Sequence, residues 1–167
     1  MKQYKSRQIE LKRFHMPYHL YFITAVTEER EPFLKDSDNI KILLATFKKY
    51  REEYQFKIVA FCILPDHFHW LIVPSTKANI SKIMKAVKGY SSIFINIQNH
   101  RYGRLWQHQF LDHIVRKDED YKNHIDYIHK NPIKHGLVQN IADYPWSSYN
   151  SYYGENNEVF KIDEILL

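Results

Sequence analysis

Two apolar runs separated by only two residues constrain this chain more than any other feature. Phe56 to Leu64 and His67 to Val73 are rich in β-branched and aromatic residues, and Pro65-Asp66 between them is a tight-turn pair. Strands joined by so short a connection must pair antiparallel, so the sequence predicts a β-hairpin at its centre.

The rest of the chain is read outward from that hairpin. Tyr18 to Val26 reads as a strand, and Asn39 to Glu52 as an amphipathic helix with Ile40, Leu43, Leu44 and Phe47 inward and Asp38 as its N-cap. Asn79 to Asn99 reads as a long helix, capped by Ser81 or Asn79. Its expected apolar side is Ile80, Ile83, Met84, Val87, Ile93, Phe94 and Ile97. Phe110 to Val115 reads as a fourth strand. Asp118 to Lys130 reads as a further helix, capped by Asp118 and stopped by Pro132. The order β-α-β-β-α-β then α is the ferredoxin-like arrangement: an α+β fold with an antiparallel sheet, two helices on one face and an additional helix. With no repeat or Gly/Ser linker, the expectation is one domain over residues 1–167, its core spanning about 17–149 and a C-terminal tail following at 150–167.

No apolar window approaches the length of a membrane span. The basic N-terminus (Lys2, Lys5, Arg7, Lys12, Arg13) is not followed by a clean apolar core or a cleavage site, and the single cysteine, Cys62, can form no intramolecular disulfide. Both point to the cytoplasm. A formal net charge of +5 favours a polyanionic partner, and the 13 tyrosines supply rings able to stack on unpaired bases, although cores use such rings too.

Chemistry concentrates at Pro65-Asp-His-Phe-His-Trp-Leu71. In a strand, His67 and His69 project to one face and Phe68 to the other, so both imidazoles can reach one divalent cation. The same pattern also describes two polar residues on an exposed sheet face. A second constellation is Tyr127 with Asn131. At i and i+4 on a helix they share a face, while Ile125 and Ile128 point to the core. The Asn131 amide oxygen is a hard ligand able to complete a mixed nitrogen and oxygen site; Asn131 equally suits a helix end before Pro132.

Together these pieces resemble the HUH endonucleases through His67-Phe68-His69, and the single-tyrosine transposases through Tyr127, Asn131 and Pro132-Ile-Lys-His-Gly-Leu-Val138. The REP-associated tyrosine transposases are the most similar branch, through Leu64-Pro-Asp-His-Phe-His69, Leu105-Trp-Gln107, Asp126-Tyr-Ile-His-Lys-Asn-Pro132 and Trp146-Ser-Ser-Tyr149. Asn131 stands where insertion-sequence members have Gln, as that branch does. The resemblance implies a ferredoxin-like fold, Mg²⁺ or Mn²⁺ held by His67, His69 and Asn131, and Tyr127 as the nucleophile. It further implies cleavage of single-stranded, hairpin-bearing DNA through a 5′-phosphotyrosine, by a monomer or a homodimer.

Basic residues placed to meet a DNA backbone are Lys82, Lys85 and Lys88 at three-residue spacing, Arg116 before the tyrosine helix, and Lys130 and Lys134 beside Asn131. Two other classes remain open from the residues alone. One is a non-enzymatic single-strand-binding domain, and the other a metal-dependent hydrolase that uses water.

Overall fold

The computed structural model describes residues 15–154 and 159–165. The basic residues from Lys2 to Arg13, and Glu155 and Glu158 of the tail, lie outside the described residues. The central hairpin forms where the turn pair demands it. β2 (Lys57–Leu64) and β3 (His67–Val73) run antiparallel with Leu64 opposite His67, and a bulge lies between Ile58 and Ala60. β1 (Tyr21–Val26) pairs antiparallel with β3 on one side and with β4 (Leu111–Ile114) on the other, giving the order β2-β3-β1-β4. This is the ferredoxin-like sheet expected from the element order.

Strand ends differ slightly from expectation. β1 starts at Tyr21, because Tyr18 sits at φ 62°, a left-handed conformation that no strand accommodates.

The helices α1 (Ser37–Tyr54) and α2 (Ile80–Gln98) pack on one face of the sheet. The Asp36 side chain, rather than that of Asp38, caps α1 by accepting the Asp38 N–H at 2.8 Å; Asp38 lies inside the first turn and pairs with Lys41. Asn79 caps α2 through the Lys82 N–H. The core under these helices centres on Trp70, whose ring meets Phe47 at 3.9 Å and Phe68 at 5.2 Å. Each such fully buried apolar side chain stabilises the fold by about 1.5–3 kcal/mol.

The second half of α2 departs from its expected apolar side. Ile80, Ile83, Met84 and Val87 are buried, but the stripe then continues through Ser91 and Ile95, leaving Ile93, Phe94 and Ile97 exposed. Ser91 is tolerated inside because its hydroxyl donates to the Val87 carbonyl and accepts from Trp106 Nε1 at 3.0 Å. Trp106 is therefore a core anchor.

α3 (Asp118–Lys134) covers the opposite face, with Ile125 and Ile128 buried among Val59, Cys62 and Leu71. Asp118 opens its acidic first turn and Lys117 occupies the cap position without a side-chain bond. The helix does not stop before Pro132. That proline removes one ladder donor near the C-terminal end, and the helix closes beyond it with the His135 N–H on the Asn131 carbonyl.

His129 docks this helix. Its Nε2 meets Ser148 Oγ at 2.9 Å, and Ser148 in turn bonds the Phe61 backbone. The segment from Trp146 to Ser148 thus lies along β2, and a short helix, α4 (Tyr149–Tyr153), follows. The later tail is anchored too: Phe160 is buried in the helix-side core, and Asp163 bonds Ile58 through backbone and side chain. Among the described residues, no helix is long and apolar enough to cross a membrane.

Candidate active site and metal centre

The alternation of β3 sends Phe68 into the helix-side core and turns His67 and His69 toward α3. Strand register supplies their partners. Thr24 lies directly opposite His69 on β1, and its hydroxyl meets His69 Nδ1 at 2.8 Å. Asp66, in the hairpin turn, meets His67 Nδ1 at 2.5 Å and is itself paired with Arg30 at 2.9 Å. Each ring is thereby held through Nδ1, leaving Nε2 as the ligand atom; a carboxylate or hydroxyl behind an imidazole is the usual orienting arrangement at metals.

Burial favours the neutral form of both imidazoles. His69 is pushed down to about 3, first by burial and then by the positive charge of His67, His135 and Lys134. His67 is lowered as well, burial outweighing its bond to Asp66. Burial alone would raise the Asp66 carboxyl, yet hydrogen bonds from His67 and Arg30 hold it below the usual carboxylate range.

α3 brings Tyr127 to the same place. Its ring stands 5.2 Å from the His69 ring and 5.9 Å from Phe22, and the two histidine rings are 4.9 Å apart. Phe22, Thr24, His67, His69, Tyr127 and Lys134 share the lining of one cavity of about 670 Å³. Tyr127 is 39% exposed, so an extended substrate can reach its phenol. Asn131 is not on an exposed face beside it, as helix spacing alone suggested, but is 1% exposed. Its Nδ2 donates to the Tyr127 carbonyl at 2.7 Å, which fixes the amide and leaves Oδ1 as a buried acceptor without a partner.

The buried side-chain atoms without a partner among the described residues are His69 Nε2, Asn131 Oδ1 and Trp70 Nε1. Trp70 belongs to the aromatic core. The other two are the donor atoms expected of metal ligands, and an orphaned buried acceptor is costly unless something occupies it. In donor chemistry, two imidazoles and an amide oxygen fit a divalent cation.

Of the predicted basic residues, Lys134 joins this cavity, its ammonium 5.2 Å from the Tyr127 ring centre. Lys130 pairs with Asp126 on the exposed side of α3, and Arg116 is exposed ahead of that helix. The α2 lysines lie on the helix-side face, away from Tyr127. Lys82 sits over Tyr54, Lys88 donates to the Gln107 and His108 carbonyls, and Lys85 lines a separate cavity of about 700 Å³ with Trp106 and Phe110. Sequence reasoning missed Thr24, Arg30 and His135, whose ring is 5.3 Å from that of His67. Only Thr24 left a signal, through the alternation of β1.

A family model described as "Transposase IS200 like" matches residues 12–131, the stretch that contains both histidines, Tyr127 and Asn131. The chain belongs to this transposase family. A Haemophilus influenzae protein, named as a candidate REP-associated tyrosine transposase, is 35% identical over 145 residues, covering 78% of this chain and 80% of that protein. The REP-associated tyrosine transposase of Escherichia coli is 28% identical over 142 residues, covering 84% and 82%. A solved structure described as a REP-associated tyrosine transposase bound to a REP hairpin superposes with a TM-score of 0.76 at 24% identity, covering 96% of this chain and 99% of that one. That likeness shows the fold. As members of the IS200-like family, such chains are DNA-binding transposases, and the branch read from the motifs is the one its relatives occupy.

Proposed function

We infer that this transposase cuts and rejoins single-stranded DNA at hairpin-forming repeats, with Tyr127 as nucleophile. The observation that carries the reading is the approach of the Tyr127 ring to within 5.2 Å of His69 in one open cavity. His67, His69 and Asn131 would hold Mg²⁺ or Mn²⁺, and the cation would supply neutralisation of the phosphate's negative charge. Three neutral ligands favour a cation that takes its anionic oxygens from the substrate, as Mg²⁺ commonly does.

The protein's own residues account for the remainder. The Tyr127 phenol loses its proton and its oxygen bonds to phosphorus. The P–O3′ bond breaks, and the departing 3′ oxygen takes up a proton. The 5′-phosphotyrosine conserves the phosphodiester bond, so another 3′ hydroxyl can reverse the step and join new ends. Lys134 lies beside the ring, placed to stabilise the developing phenolate. The hairpin as substrate rests on the REP hairpin bound in the solved structure of similar fold, together with the relatives that are REP-associated transposases.

The test is incubation of the full chain with labelled hairpin-bearing single-stranded DNA and Mn²⁺, read on a denaturing gel. A covalent adduct is expected, absent in Tyr127→Phe and in His67→Ala. Cleavage without an adduct would assign the reaction to water, and binding without cleavage to a recognition module.

A further inference from the structure

A second group of metal-ligating side chains adjoins this cavity through His124. His113 comes from β4, while Asp120 and His124 come from the first two turns of α3, at the i and i+4 positions that stack on one face. His113 Nε2 lies 2.9 Å from one Asp120 oxygen and His124 Nε2 lies 3.2 Å from the other. One ligand atom from each residue falls within 4.8 Å of the others. The His124 ring is held by Phe22, stacked on it at 4.3 Å.

We propose that His113, Asp120 and His124 form a second metal site, taking a borderline transition ion of the Zn²⁺ class and separate from the His67 and His69 pair. At metal–ligand bonds of about 2.0–2.2 Å, neighbouring ligands of a tetrahedral ion stand roughly 3.3 Å apart, close to the two separations that exist before any ion enters. Two imidazoles and one carboxylate favour Zn²⁺, Co²⁺ or Ni²⁺ over Mg²⁺. Unlike the neutral ligand set beside Tyr127, this one carries a negative charge of its own and needs no phosphate. Three protein ligands leave a position for water. The ion ties the edge strand β4 to the start of the helix that carries Tyr127 and Asn131, so it acts as a staple on the tyrosine helix and not as part of the reacting centre.

The experiment uses the full chain carrying His67→Ala and His69→Ala, titrated with Co²⁺ and then Zn²⁺ alone. One equivalent of Co²⁺ with tetrahedral-type visible absorption is expected, displaced by Zn²⁺ and accompanied by a rise in Tm as binding favours the folded state. Adding His113→Ala or Asp120→Asn should weaken binding by about tenfold or more. His113 is half exposed, so its removal leaves the core intact. Absence of saturable binding, or equal binding after His113→Ala, overturns the proposal. Should the double variant not fold, Zn²⁺ equivalents are counted in the otherwise unaltered chain. His113→Ala must lower that count by one, and an unchanged count refutes the site.

Discussion

The side-chain amide of Asn131 donates to the backbone carbonyl of Tyr127 at 2.7 Å, so one turn of α3 fixes a candidate ligand to the candidate nucleophile. The bond also decides which end of the amide faces away from the helix. Asn131→Ala removes Oδ1 without disturbing the ladder. Mn²⁺ affinity and adduct formation should both fall by about 100-fold or more, because a ligand contributes more than the tenfold to 100-fold typical of its supporting shell. The Tm should move by only a few degrees, since an orphaned buried acceptor disappears along with the bond. Calorimetric titration beside a melting curve checks this; a collapse of the fold with metal affinity preserved in the folded fraction would contradict it.

Thr24 and Asp66 hold the two imidazoles from behind. Thr24→Val keeps the shape of the strand and removes the partner of His69 Nδ1, while Asp66→Asn removes the charge behind His67. Each should weaken Mn²⁺ binding by about 10- to 100-fold. The readout is the Mn²⁺ concentration needed for half-maximal adduct, which should rise while the yield at saturating Mn²⁺ recovers. A loss that saturating metal does not rescue would assign these residues another role.

His129 makes the fold sensitive to acid. Burial pushes its pKa down from 6.5 to about 4. The unfolded chain, titrating near 6.5, therefore binds the extra proton throughout the interval between those values. The contribution to stability is complete above about pH 6.5 and declines as pH falls toward 4, by roughly 3 kcal/mol across the window. His69 acts in the same direction, with its own loss reaching down to about pH 3. Urea unfolding near pH 7 and near pH 4.5 should show a clear drop for the parent chain and a smaller one for His129→Gln. Equal drops would mean that His129 is not the group responsible.

Lys88 and Lys85 should behave differently, although the sequence places them on one stripe. Lys88 donates to two loop carbonyls, at 2.6 and 2.9 Å. Lys88→Ala should thus cost about 1–2 kcal/mol of stability, whereas Lys85→Ala should leave the Tm unchanged and lower the salt dependence of DNA binding. Melting curves and binding isotherms at two salt concentrations separate the two.

Local rules carried the fold a long way. The turn pair set the hairpin, alternation aimed His67 and His69 to one side, and heptad-like spacing found the buried side of α1 through Phe47. They failed where a distant partner decided the outcome. The end of α2 reads as apolar at Ile93, Phe94 and Ile97, but Trp106 arrives from a later loop to satisfy Ser91 and draws the helix inward along another line. Pro132 reads as a stop, yet near a helix terminus the loss of a single donor is tolerable. The ligand pair was legible because strand alternation is strict. Asn131 was misjudged as exposed, since helix spacing reveals neighbours without revealing which of them the sheet will cover. Arg30 gave no signal, because a turn with no periodicity brings it in, and His135, which closes α3, stood in the Pro132–Val138 stretch with nothing to single it out.

The segment from Trp146 to Ser148 and the Asp163 backbone occupy the outer edge of β2, a strand whose residues from Ile58 to Leu64 are all buried. A chain truncated after α3 would present that row of amides and carbonyls as an open template on one of the most apolar stretches of the sequence. The C-terminal segment accordingly does two jobs at once: it covers an edge that would otherwise be open to further copies of the chain, and through Ser148 it holds the tyrosine helix in place.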